Sequence, residues 1–142
     1  MSSYKPAVVR LIAPVLFLAS TVVGVPGCSS GDKATPVASV AFTSAKQRVT
    51  QGSPVEFSYR FDVAPDATFD GDYRVFVHVN NPDGEQLWSD DHDPVPATST
   101  WRPGQKVQYS HTVFVPVTGF HGEATVVVGL YRDSVRLPLQ GP

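Results

Sequence analysis

Cysteine is almost missing from this chain of 142 residues: the only one is Cys28, which excludes an internal disulfide framework and any cysteine-rich metal cluster. Charged side chains are few, at 17% of residues, where an average soluble domain has about 25%. Eleven Lys and Arg against thirteen Asp and Glu leave a formal charge of −2. No basic block is available to neutralise a row of phosphates, so nucleic acid is not an expected partner. Beyond Cys28 no window of ten or more residues carries a clear 3.6-residue apolar period, and no helix of consequence is expected. Templates for catalysis are missing too. There is no His-Glu-x-x-His and no phosphate-cradling glycine loop, and nothing sets two carboxylates across a common cleft. The length leaves room for one domain, not for a cofactor module beside a substrate module. What the chain has in quantity is turn formers, eleven glycines and thirteen prolines.

Lys5 and Arg10 are the only charges in the first 31 residues, and they precede the apolar stretch Leu11 to Val25. A basic start, an apolar centre and small residues before Cys28 make the pattern of an export signal. Fifteen residues that include Pro14 fall short of the roughly 20 that span a bilayer as a helix. The segment Val25-Pro26-Gly27-Cys28 resembles the bacterial lipoprotein signal, although Pro26 departs from its usual composition. That resemblance implies acylation of Cys28, whose thiolate is the fitting nucleophile toward an acyl-glycerol donor. A plain cleavable signal is the competing reading.

Loss of residues 1–27 as a signal peptide leaves 115 residues; removing Lys5 and Arg10 from the eleven basic residues leaves nine against thirteen acids, a charge of −4. Such a body is not drawn to anionic headgroups, so the membrane is reached through the lipid. Residues 28–36 are small and polar and read as a flexible tether. Ser29 stands where an aspartate would resemble an inner-membrane retention signal, which points to the outer membrane if the cell is Gram-negative.

Residues 37–142 read as one β-sandwich domain. Val55, Phe57, Tyr59 and Phe61 alternate with polar residues, and so do Tyr73, Val75, Val77 and Val79, then Val107, Tyr109, His111, Val113 and Val115. A run from Ala124 to Tyr131 is apolar on both faces and is expected at the centre of a sheet. Shorter candidates span 39–43, 86–89 and 135–139, giving about seven strands. Asn81-Pro82-Asp83-Gly84, Gln51-Gly52-Ser53-Pro54 and Arg102-Pro103-Gly104 supply the turns. The expectation is an all-β, immunoglobulin-like antiparallel sandwich that lacks the Cys-Trp-Cys hallmark of true immunoglobulin domains.

The run Val75-Phe76-Val77-His78-Val79, then Pro82-Asp83-Gly84, Asp91 with Pro94, Thr98-Ser99 with Trp101, Pro103-Gly104, Val128-Gly129-Leu130-Tyr131 and Arg136-Leu137-Pro138-Leu139 looks like a β-sandwich domain appended to bacterial membrane glycosyltransferases. The likeness covers about Val55 to Leu139. It implies an accessory, non-catalytic module, and without a transferase part no activity carries over.

Asp90-Asp91-His92-Asp93 is the densest polar cluster, bracketed by Trp88 and Trp101. These six residues are the candidate ligand-binding set. Three carboxylates on a proline-stiffened loop could hold Ca²⁺, though the spacing is not that of an EF-hand, and the plainer reading is a solvated loop whose aspartates cap turns. Trp88 and Trp101 could form a platform for a sugar ring; the alternative is that both cover the core. A hydrogen bond from His78 to Asp91 across a hairpin is the expected structural polar pair. The four histidines, His78, His92, His111 and His121, form no sequence-local ligand pair, so a zinc site would need the fold to gather them. No metal or other cofactor is expected.

The leading expectation is therefore a lipid-anchored cell-envelope module that binds without catalysing, with an envelope protein or a glycan as partner. A structural accessory subunit of an envelope complex, one handling glycans among them, is the alternative, and a metal-dependent periplasmic enzyme the remote third. An exposed groove containing Trp88 or Trp101 would favour ligand binding; a large apolar patch on a sheet face would favour docking; gathered histidines around an open position would favour the enzyme.

Overall fold

A computed structural model describes residues 34–141; the proposed signal, Cys28 and most of the tether lie outside the described residues. Eight strands follow in chain order: β1 Ala38–Ser44, β2 Pro54–Val63, β3 Arg74–Asn80, β4 Gln86–Ser89, β5 Lys106–Phe114, β6 Thr125–Arg132, β7 Val135–Leu137 and β8 Leu139–Gln140. They form two four-stranded sheets, ordered β5-β2-β1-β8 and β4-β3-β6-β7. Every pairing is antiparallel except β1 with β8. The only helical element among the described residues is a 3₁₀ turn, Thr98–Thr100.

Period-two alternation builds the layer between the sheets. From β2 come Val55, Phe57, Tyr59, Phe61 and Val63, which face Val75, Val77 and Leu130 of the opposite sheet. Each such side chain, fully withdrawn from water, contributes on the order of 1.5–3 kcal/mol. Cross-strand register sets Phe57 opposite His111, Tyr59 opposite Tyr109 and Phe61 opposite Val107. The β3–β4 hairpin closes as its residues dictate: Gly84 sits at φ 85°, and its N–H donates to the Asn81 carbonyl at 3.0 Å. Strand β6 lies inside its sheet, between β3 and β7. There Gly129 is required by packing, because a Cβ would come within 2.2 Å of the Phe76 ring.

The strand expected over 135–139 is in fact two. Pro138 separates them, and the chain crosses at that point from the β6 edge of one sheet to the β1 edge of the other. Proline has no N–H for a ladder, which makes it a natural point for changing sheets. The Pro138 carbonyl still accepts a bond from the Val37 N–H at 2.9 Å.

Candidate functional site

Strands β4 and β5 are edge strands of their respective sheets, and the segment after β4 continues along β3 beyond Ser89. The Asp90 N–H donates to the Val77 carbonyl at 2.9 Å, and His92 exchanges two backbone bonds with Val75. The segment is thus extended, and its side chains alternate in direction. Asp90 and His92 turn inward, with 20% and 10% of their side chains exposed, whereas Asp91 and Asp93 are exposed. From β5, Tyr109 and His111 occupy the inward positions between Val107 and Val113. The two edges therefore meet through polar residues where the pattern would normally place aliphatic ones.

Nδ1 of His92 and Nε2 of His111 each lie 3.4 Å from Oδ2 of Asp90. Nε2 of His92 is hydrogen-bonded to the Tyr109 hydroxyl at 2.8 Å, and the His92 and His111 rings stack with centroids 4.5 Å apart. Tyr59 packs beside them, its centroid 5.1 Å from both His92 and Tyr109. Burial, with a weaker push from the Asp90 charge, holds the Tyr59 phenol protonated well above the usual range; burial does the same for Tyr109, helped by Tyr59 and Asp90. His92 titrates below the usual imidazole range, first because it is desolvated. Two buried polar atoms of the cluster, Asp90 Oδ2 and the Tyr59 hydroxyl, have no hydrogen-bond partner. An unpaired buried polar atom costs about 1–3 kcal/mol and calls for an explanation.

The Asp90–Asp93 segment cannot gather three carboxylates around Ca²⁺, because alternation sends Asp90 one way and Asp91 and Asp93 the other. Asp93 pairs with Arg74 Nε at 3.0 Å, while the Asp91 carboxylate accepts a long bond, 3.4 Å, from the Val77 N–H. The expected His78 to Asp91 hydrogen bond is not formed. Register places Ser89 opposite His78, and His78 lies instead against Phe76, ring centroids 4.9 Å apart. Trp101 is not available as a platform either. It is 5% exposed, packs on Phe61 and Phe69, and donates from Nε1 to the Pro96 carbonyl at 2.9 Å.

Trp88 has a different position. It stacks on Phe57, centroids 6.3 Å apart, and lines a cleft of about 850 Å³ with Phe42, Val126, Arg48 and Glu123. Gln51 stiffens one wall by accepting from the N–H groups of Thr118 and Gly119 at 2.8 and 3.0 Å and donating to the Phe120 carbonyl.

Of the six candidate ligand residues, the fold unites Asp90 with His92, sets Trp88 at the cleft, and leaves Asp91, Asp93 and Trp101 in structural or solvated roles. His111, Tyr109 and Tyr59 were missing from that set. Their signal is present in the alternation, since a histidine and two tyrosines hold core-facing positions in otherwise apolar series. No protein-family model, no curated protein and no solved structure matches the chain.

Proposed function

We propose that the protein is a lipid-anchored, cell-envelope β-sandwich that binds a ligand without turning it over. The observation that carries this reading is the Trp88 cleft. A cavity of roughly 300–1,000 Å³ that combines aromatic walls with a few polar groups is the common form of a small-ligand site. An indole in a cleft that a guanidinium and a carboxylate also line suits a sugar, whose C–H face packs on the ring while its hydroxyls take the polar partners. A glycan is accordingly the ligand class proposed.

Anchoring rests on the order of charge, apolar stretch, small residues and Cys28, and places the body outside the cytoplasm, at the outer membrane in a Gram-negative cell. The immunoglobulin-like type of the sandwich is likewise a proposal. It is supported by the grouping of β1, β2 and β5 against β3, β4, β6 and β7, with chain crossings between layers in the Greek-key manner. That type agrees with the accessory module the sequence resembles.

Trp101→Phe leaves Trp88 as the sole tryptophan, so its fluorescence reports on the cleft. Saturable quenching by oligosaccharides is expected, and a glycan array should lose its hits on Trp88→Ala. An array without hits for a folded chain, together with a specific envelope protein recovered by crosslinking in cells, would replace this reading by that of an accessory subunit. For the anchor, palmitate should label the wild type and not Cys28→Ser. A metal-dependent envelope enzyme is the second reading, favoured by the gathering of Asp90, His92 and His111. Turnover of a bound ligand that disappears in His111→Ala would establish it.

A further inference from the structure

His92 is hydrogen-bonded through Nε2 to the Tyr109 hydroxyl and through Nδ1 to the Asp90 backbone carbonyl, at 2.8 and 3.2 Å, but the distances around the Asp90 carboxylate are of another kind. A charged N–H···O bond closes to about 2.7–2.9 Å, yet both imidazole nitrogens stop at 3.4 Å from Asp90 Oδ2, and that oxygen has no hydrogen-bond partner although it is buried. The spacing has another meaning. Three donors on one ion, with bonds of about 2.0–2.1 Å at tetrahedral angles, lie about 3.3–3.4 Å apart, whereas right-angled coordination at the same bond lengths sets them about 2.9 Å apart. All three donor atoms fall within 4.8 Å of one another.

We infer that Asp90, His92 and His111 bind one Zn²⁺ ion through Oδ2, Nδ1 and Nε2. Two imidazoles and a carboxylate are donors this borderline ion accepts, and they are too few and too nitrogen-rich for Ca²⁺, which wants six to eight oxygens. The surroundings fit as well. Zinc on Nδ1 displaces the 3.2 Å bond from that nitrogen to the Asp90 carbonyl and requires the tautomer with the hydrogen on Nε2, which donates to the Tyr109 hydroxyl 2.8 Å away. A metal-bound histidine is commonly oriented in this way by a partner on its far nitrogen.

The stacked rings do not yet share a point in both their planes, so one must turn to ligate. His111, with 38% of its side chain exposed, has the room, while His92, with 10%, is held. Three protein ligands leave the fourth tetrahedral position to water or to a donor atom of a bound partner. The sequence expectation of no metal rested on the absence of any local histidine pair. The approach of the two sheet edges brings together two histidines nineteen positions apart, His92 and His111.

The test uses the untagged full chain in detergent, titrated calorimetrically with Zn²⁺ alone. One ion per chain is expected. His111→Ala and Asp90→Asn should each weaken binding more than tenfold, and Tyr109→Phe, acting as a positioning change, about tenfold. His78→Ala and His121→Ala should leave the affinity unchanged. Circular dichroism establishes that each variant is folded; should His111→Ala lose its fold, the near-isosteric Asp90→Asn decides. The inference is overturned if folded wild type takes up no zinc, or if folded Asp90→Asn binds it as tightly as wild type.

Discussion

The stretch from Asp90 to Trp101 buries polar groups at both of its ends, and the two ends treat them differently. At the far end every group is matched. The wholly buried Thr98 hydroxyl accepts from the Tyr73 N–H at 2.6 Å and donates to the Gly71 carbonyl at 3.1 Å, and the Trp101 indole N–H is taken by Pro96. At the near end Asp90 Oδ2 and the Tyr59 hydroxyl are left without partners beside two stacked imidazoles. A closed network specifies and stabilises a fold, whereas a partly satisfied one weakens it unless something else completes it. Trp101 and Thr98 therefore belong to the closed structural end, and the Asp90 edge is the end where the zinc ion is proposed.

The contrast can be broken first at its structural end. Trp101→Ala should lower the unfolding free energy by about 3–5 kcal/mol in a urea titration, the cost of truncating a large buried ring; a loss under about 1 kcal/mol would return Trp101 to the candidate ligand surface. Thr98→Val keeps the shape but strands a buried N–H and a carbonyl, and should cost about 1–3 kcal/mol. At the open edge the sign should differ. Tyr59→Phe removes a buried hydroxyl that has no partner, so metal-free stability should stay within about 1 kcal/mol of wild type or rise. A clear loss would mean that the hydroxyl is satisfied in solution and that the two ends are alike.

The smallest effect concerns the surface and serves as a baseline. Asp70 accepts hydrogen bonds from Arg132 and Tyr73, which hold its carboxyl below the usual 3.8. The unfolded chain then binds that proton more tightly than the folded one. The contribution is complete above the ordinary value and disappears as pH falls through the lower, folded one. Melting temperature should therefore decline slightly more steeply below about pH 4 in wild type than in Asp70→Asn.

Much of the sandwich was readable because alternation is a local signal. The series Val55, Phe57, Tyr59, Phe61 states which face is buried without knowledge of its partner. The break at Pro138 was readable in principle, since proline cannot continue a ladder, but which sheet receives Leu139 depends on β1, a hundred residues earlier. The candidate site was legible only in half. Asp90 and His92 stood out as a cluster, yet their neighbours Asp91 and Asp93 were grouped with them as though a loop had no faces. The segment is extended and bonded to β3, so the same alternation governs it. For His111 and Tyr109 the alternation marks a core-facing position and no more. Their meeting with His92 depends on two sheet edges lying against each other, a relation between layers that no spacing along the chain encodes.

The measurement that bears most directly on the open edge is the melting temperature of the full chain as free Zn²⁺ is raised. A ligand at a hundred times its dissociation constant adds about 2.7 kcal/mol to the folded state, which for a domain of this size is a rise of roughly 10 °C or more. The account predicts that rise in wild type and, at the same zinc concentration, a rise of about half that or less in Asp90→Asn. A melting temperature indifferent to zinc, or one raised equally in both chains, would contradict it.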